Sequence, residues 1–281
     1  MTDAATLAQA LRQIQAMGLE RLDAQMLLLL ALGREPNDRA WLLSHDQDQL
    51  PPHVSERLNA MTQRRLNGEP LAYIHGEKAF FGLRLKVDAR VLVPRPDTEA
   101  LVGWSLDILT TLPRQSRFLD LGTGSGAIAL AVKSQIPHTQ VTATDASADA
   151  LTVASANAKR LGLAVTFKQG QWLQAVRGER FHLIASNPPY IAEGDHHLPA
   201  LAHEPISALT AGADGLSDLR TLVATAPDAL EPGGWLLLEH GHDQAPAVGE
   251  LLVAQGFTRV SSRTDLAGIQ RCTGGQWPEQ R

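Results

Sequence analysis

The 281-residue sequence contains a single cysteine, Cys272, which excludes an internal disulfide framework and fits a reducing cytoplasm. It has no excess of positive charge. The formal net charge is −5 and the pI about 6.0, so nothing pulls the chain as a whole toward a phosphate backbone. Residues 1–90 hold eleven Lys/Arg and eleven Asp/Glu, which leaves no basic arm. Long apolar runs are missing too. The longest leucine-rich stretch, Met26 to Leu32, is far below the roughly 20 residues a membrane helix needs. The N-terminus has no basic-then-apolar signal pattern. What remains is 44% hydrophobic and 20% charged, the profile of an ordinary globular protein. A chain of this length buries a sizeable core and is expected to form two domains. No stable nucleic-acid partner, no membrane association, no metal and a cytoplasmic location are expected.

Residues 1–70 read as a small helical bundle. Leu7, Leu11, Ile14 and Met17 recur at helical spacing, as do Leu22, Met26, Leu29 and Leu30. Gly18 and Gly33 stand where C-terminal caps belong. A third segment surrounds Trp41-Leu42-Leu43, and a fourth runs from Pro52 to Leu66. Residues 71–90 read as a hairpin linker, with strands at Tyr73-Ile74-His75-Gly76 and Phe80 to Val87. In the following run, Val93-Pro94-Arg95-Pro96-Asp97-Thr98-Glu99, the prolines forbid helix before Asp97. Asp97 or Thr98 then caps a helix to about Leu112.

From Arg117 onward strand and helix patterns alternate. Strands are predicted at 117–121, 140–144, 164–168, 180–186, 234–240, 257–262 and 268–273, and helices at 125–135, 147–161, 215–230 and 243–255. This is an α/β pattern: a Rossmann-like, mostly parallel sheet of seven strands with helices on both faces. The last two strands have no helix between them and must pair antiparallel. The third domain segment is therefore 91–281.

Gly122, Gly124 and Gly126 join the first of these strands to its helix, giving a tight turn and close approach of a ligand to the backbone. The spacing also fits a dinucleotide site, with Ala127 last. Three features favour S-adenosylmethionine instead. Asp120, two residues before the first glycine, would sit beside the ammonium and sulfonium end of that cofactor, and would be unwelcome beside a pyrophosphate. Asp145 ends the second strand, nineteen residues after Gly126, where an acid can accept from both ribose hydroxyls. Asn187-Pro188-Pro189-Tyr190, after the apolar run Phe181–Ser186, offers an acceptor site that hydride transfer does not need. Trp172, after the third strand, can stack on adenine, and Gln171 or a backbone amide can read its edge.

An amide nitrogen is a poor nucleophile because its lone pair is delocalised into the carbonyl. It must be held in line with the sulfonium methyl at about 3–3.5 Å with water removed. The Asn187 side-chain oxygen can accept one N–H and the Pro188 carbonyl the other, while Tyr190 packs against the planar group. Asn187, Pro188 and Tyr190 are therefore the candidate catalytic residues, and Asn187 to Tyr190 the candidate substrate site.

Together these motifs resemble the peptide chain release factor glutamine methyltransferases over nearly the whole chain. The resemblance is carried by residues 93–99, Asp120 to Ala127, Asn187 to Ile191, Glu204-Pro205, Gly215 and Leu236-Leu237-Leu238-Glu239-His240-Gly241. It implies methyl transfer from S-adenosylmethionine, leaving S-adenosylhomocysteine, to the glutamine of the Gly-Gly-Gln loop in class I release factors. It also implies that the cofactor lies on Gly122, Thr123, Gly124, Ser125, Gly126, Asp145, Trp172 and Asn187. Gln171 stands where an acid is common in the family. Gly274-Gly275-Gln276 reads as a chance copy of the substrate motif in an unusual C-terminal run. A glutamine of a ribosomal protein, or a flipped adenine, remains an alternative acceptor. A non-catalytic protein that only binds a translation factor is the reading from another class.

Overall fold

The computed structural model describes residues 5–279. The chain divides into two compact units, Met1–Gly76 and Glu77–Arg281.

The first unit is helical: α1 Leu7–Ala16, α2 Arg21–Ala31, α3 Arg39–Ser44, α4 Pro52–Leu66 and α5 Leu71–His75. A capping box starts α1: the Gln9 N–H donates to Thr6 Oγ1 at 3.2 Å, and the Thr6 N–H donates to Gln9 Oε1 at 2.8 Å. Leu7, Ile14, Leu27, Leu28 and Leu58 are buried together in its core, as amphipathic stripes require. The strand predicted at Tyr73–Gly76 is absent. Those residues form the short helix α5, which Pro70 precedes and Gly76, at φ 79°, caps in the left-handed region. The hairpin consists instead of β1 Glu77–Phe80 and β2 Leu83–Lys86, both in the second unit.

That unit continues with α6 Thr98–Thr111, β3 Arg117–Leu121, α7 Ala127–Gln135, β4 Gln140–Asp145, α8 Ala148–Leu161, β5 Thr166–Gln169, β6 Phe181–Ser186, α9 Ser217–Thr225, β7 Leu230–Glu239, α10 Ala245–Gln255, β8 Thr258–Thr264 and β9 Gln270–Gln276. Seven strands form one sheet in the order β5-β4-β3-β6-β7-β9-β8. Every pairing from β5 to β7 is parallel, and β9 runs antiparallel to both of its neighbours. Side chains alternate between the faces as strand geometry dictates. Phe118, Leu183 and Leu237 pack with α6 and α7 residues on one face, and Leu119, Leu236 and Leu238 with α9 and α10 residues on the other. Strand order reverses between β3 and β6, so the loops leaving their carboxyl ends open one crevice. The glycine loop and the Asn-Pro-Pro-Tyr segment are those two loops.

Gly274-Gly275-Gln276 lies inside β9. A β-carbon on Gly274 would fall 2.7 Å from the Leu236 carbonyl oxygen, so close packing of β9 on β7 demands glycine there. Among the described residues, no helix is long and apolar enough to cross a membrane.

Candidate active site

The glycine loop is hung from the strand beside it. The N–H groups of Gly122 and Thr123 both donate to the Thr144 carbonyl at 2.9 Å. Gly122, Gly124 and Gly126 all have positive φ, which only glycine adopts without strain. Asp145, at the end of β4, accepts from the Gly124 N–H through Oδ2 and from the Ser147 N–H through Oδ1, each at 2.9 Å. Each carboxylate oxygen keeps a second lone pair for a ligand hydroxyl.

A cavity of about 300 Å³ opens above this loop, within the size range of small-molecule sites. Gly122, Gly124, Asp145, Trp172, Asn187 and Pro189 line it, with Gln171 and Asp218. Trp172 has φ 48°, an unusual value for a bulky residue, and its ring lies 3.4 Å from where a Gly122 β-carbon would be. Burial raises the carboxyl pKa of Asp218, an effect that the neighbouring Trp172 side chain partly offsets. A glycine cradle, a strand-end carboxylate and an indole fit an adenosyl group with its ribose and an amino-acid tail.

Asp120 lies elsewhere than expected. It is fully buried beneath the loop and does not line the cavity. Its strand position points it toward α7, where Oδ2 accepts from Thr123 Oγ1 at 2.6 Å and from the Ala129 N–H at 3.1 Å. Oδ1 has no partner, and burial pushes the carboxyl pKa up to about 7. The residue braces the loop from below. Thr123 and Ser125 are buried with it. Gly126 caps α7, where a β-carbon would meet Leu130 Cδ1 at 2.9 Å.

Asn187 follows β6 directly. Its Nδ2 donates to Thr98 Oγ1 at 3.2 Å. Pro188 is buried and Tyr190 half-buried. Burial lifts the Tyr190 hydroxyl pKa above its ordinary range. The segment is pinned at its far end, where the Ile191 N–H donates to the Leu209 carbonyl at 2.9 Å and the Ala211 N–H to the Ile191 carbonyl at 3.0 Å. Gln244 Nε2 also donates to the Tyr190 carbonyl at 3.0 Å.

A second cavity of about 330 Å³ lies beyond this segment, lined by Arg95, Asn187, Tyr190, Ile191, Leu201 and Leu209 among others. Asn187, Leu92 and Ala208 belong to both cavities. The loop carrying Leu92 and Arg95 is held by Glu204, a buried residue that accepts from the Val93 N–H at 3.0 Å and pairs with Arg95. The 93–99 and Glu204-Pro205 motifs of the sequence meet in this ion pair. The sequence offered Thr98 only as a helix cap, and Asp218 and Gln244 not at all, since each reaches the site from a distant helix or turn.

The chain matches the family model Methyltransferase small domain over residues 105–211 and PrmC N-terminal domain over residues 5–76. It is 46% identical over 254 residues to the release factor glutamine methyltransferase of Coxiella burnetii, covering 89% of this chain and 90% of that protein. It is 48% identical over 261 residues to the protein of the same name from Bordetella pertussis, covering 92% and 95%. Among solved structures, a methyltransferase from Pyrococcus furiosus superimposes with a TM-score of 0.54 at 22% identity, covering 78% of this chain and 99% of that one. At that identity it speaks for the fold alone.

Proposed function

We propose, on the premise that this chain belongs to the release factor glutamine methyltransferase family, that it methylates the side-chain nitrogen of the glutamine in the Gly-Gly-Gln motif of class I release factors. The observation that carries the reading is that Asn187 is a wall common to two cavities. One suits the cofactor and the other a planar amide side chain, so an acceptor nitrogen held by Asn187 would meet the cofactor end of the site.

S-adenosylmethionine, the donor of this methyltransferase, supplies an electrophilic methyl group on a sulfonium. Asp145, Gly122, Gly124 and Trp172 would hold it. The rest of the chemistry is orientation by the protein. Asn187 Oδ1 accepts one N–H of the glutamine amide, and the Pro188 carbonyl accepts the other, since the proline that follows leaves no N–H there to continue a strand ladder. With both hydrogens held, the nitrogen lone pair turns toward the cofactor cavity. Tyr190 packs on the amide plane. Fixing geometry in this way is worth several orders of magnitude in rate. Once alkylated, the nitrogen sheds a proton readily, so the site needs no dedicated general base.

Among its described residues the helical unit has no catalytic constellation of its own. Its proposed role is to dock the release factor, because one glutamine offers too little surface for affinity. A cytoplasmic location follows from such a substrate. The test is incubation of the full chain with labelled S-adenosylmethionine and separate acceptors: a class I release factor, ribosomal protein, RNA and DNA. Label in the release factor, abolished by changing the glutamine of its Gly-Gly-Gln motif, supports the proposal. Label in another acceptor alone overturns it.

A further inference from the structure

Glu239 is a buried carboxyl group that the chemistry above leaves unused. It ends β7, is 1% exposed, and neither of its carboxylate oxygens makes a hydrogen bond of full geometry. An unpartnered buried carboxylate destabilises a fold, and a leucine here would simply extend the apolar run Leu236–Leu238. Its surroundings are specific. β6 and β7 run parallel with Ser186 opposite Leu238, so the next step along each strand brings Asn187 beside Glu239. Thr98, the first residue of α6, is 3% exposed and accepts from Asn187 Nδ2 at 3.2 Å. Thr98 and Asn187 are also the side chains whose polar hydrogens partly offset the burial of Glu239, although neither is aligned well enough to satisfy it. The charged groups acting on Glu239 are Asp97, of like sign, and Arg271, already bonded to Asp97 and Asp265 at 3.2 Å each.

We propose that Glu239 is a positioning residue for Asn187: as an acceptor-only group beside Thr98 and Asn187 it fixes which way round the Asn187 amide lies, turning Nδ2 inward and leaving Oδ1 for the methyl acceptor. Such positioning bears on transfer only through the acceptor role proposed above for Asn187. A primary amide is nearly symmetric in shape, so packing alone does not choose between its two orientations. Hydrogen-bond polarity does. Above about pH 7, where Glu239 is ionised, its carboxylate only accepts. A Thr98 hydroxyl that gives its one hydrogen toward Glu239 can offer Asn187 only a lone pair, and the group that fills it is the NH2. The flipped amide would set Oδ1 against two acceptors and aim its own N–H groups at those of the incoming glutamine.

Glu239→Gln replaces one acceptor with a donor at nearly constant volume. In the 15N spectrum of the full-length protein, the Asn187 side-chain NH2 pair should shift in Glu239→Gln and in Thr98→Val, a readout that needs no substrate. In single-turnover methylation of release factor at pH 8, where Glu239 is ionised, Glu239→Gln should slow transfer about tenfold or more, with cofactor affinity within about twofold of the parent and the unfolding temperature no lower. The double variant should lose less than the product of the two single losses, because both act on one amide. Unmoved Asn187 resonances in a folded Glu239→Gln protein, transfer within about twofold of the parent, or single losses that multiply would overturn the proposal. Should Glu239→Gln fail to fold, Thr98→Val alone must shift the resonances and slow transfer. A parent that leaves release factor unmethylated while its Asn187 resonances respond as described removes the acceptor assignment and leaves the positioning intact.

Discussion

The carbonyl oxygen of Tyr190 lies 2.3 Å from where a β-carbon on Gly215 would stand. The last residue of the Asn-Pro-Pro-Tyr segment is thus seated directly on the turn before α9, and only a hydrogen at position 215 leaves room for it. Gly215 also has φ 71°, and Gln244 Nε2 lies 3.0 Å from the same point. Gly215→Ala must therefore displace Tyr190 or distort the turn. Transfer should fall at least tenfold, since displacement of about 1 Å can by itself cost 10²-fold. Cofactor affinity, measured by calorimetry, should stay within about threefold, because Gly215 does not line the cofactor cavity. Full activity in Gly215→Ala would show that the segment tolerates movement.

Burial raises the carboxyl of Glu239 to about 7, far above its ordinary value. The folded protein then binds this proton more tightly than the unfolded chain does. Between about pH 4.5 and 7 the unfolded state releases the proton first, so this group's contribution to stability is full at low pH and lost as pH rises through 7. Glu239→Gln removes that dependence. Relative to the parent, its unfolding temperature should be higher at pH 8 by a few degrees, with the advantage shrinking toward pH 5. Thermal scans across this range check the sign; an advantage that grows toward acid would contradict it.

Asp145→Ala should weaken S-adenosylmethionine binding about tenfold or more, since a hydrogen bond to a charged acceptor contributes about 1.5–3 kcal/mol. Part of the loss should come through the loop, because Asp145 also holds the Gly124 N–H. Titration calorimetry with unchanged affinity would remove Asp145 from the site.

A chain beginning at Glu77 retains every strand of both sheets in the second unit. It should bind cofactor like the parent and methylate intact release factor at least tenfold less efficiently, the loss lying in KM if the helical unit supplies docking surface. Equal kcat/KM on the intact factor would give that unit another role.

Much of this was legible in the sequence, for local reasons. Arg117–Leu121 alternates with the helix patterns after it and ends at Gly122, and its strand has those same limits. Asn187-Pro188 ends β6 because the prolines cannot continue a ladder. The failures were short or long-range. Leu71–His75 is five residues, too few to separate a helical from an alternating period. The inward face taken by Asp120 depends on α7 crossing beneath it, which the motif alone does not reveal. The meeting of Thr98, Asn187 and Glu239 depends on the register of β6 against β7 and on where α6 begins. Gly274 and Gly275, read as a chance motif, are set by strand packing.

The central claim is that Asn187 orients the acceptor nitrogen, and substitution at this residue tests it most directly. Asn187→Ala removes one of the two acceptors and leaves an N–H of the bound amide unpaired, at a cost of about 1–3 kcal/mol, before any loss of alignment. Asn187→Asp keeps an acceptor oxygen and adds a negative charge that favours the sulfonium ground state, so it should bind cofactor at least as tightly yet turn over more slowly. The decisive measurement is the single-turnover rate of methyl transfer to a class I release factor, with cofactor affinity measured in parallel. The account predicts a fall of about 10²-fold or more in Asn187→Ala with cofactor binding and unfolding temperature nearly unchanged; transfer within a few-fold of the parent rate would place the acceptor site elsewhere.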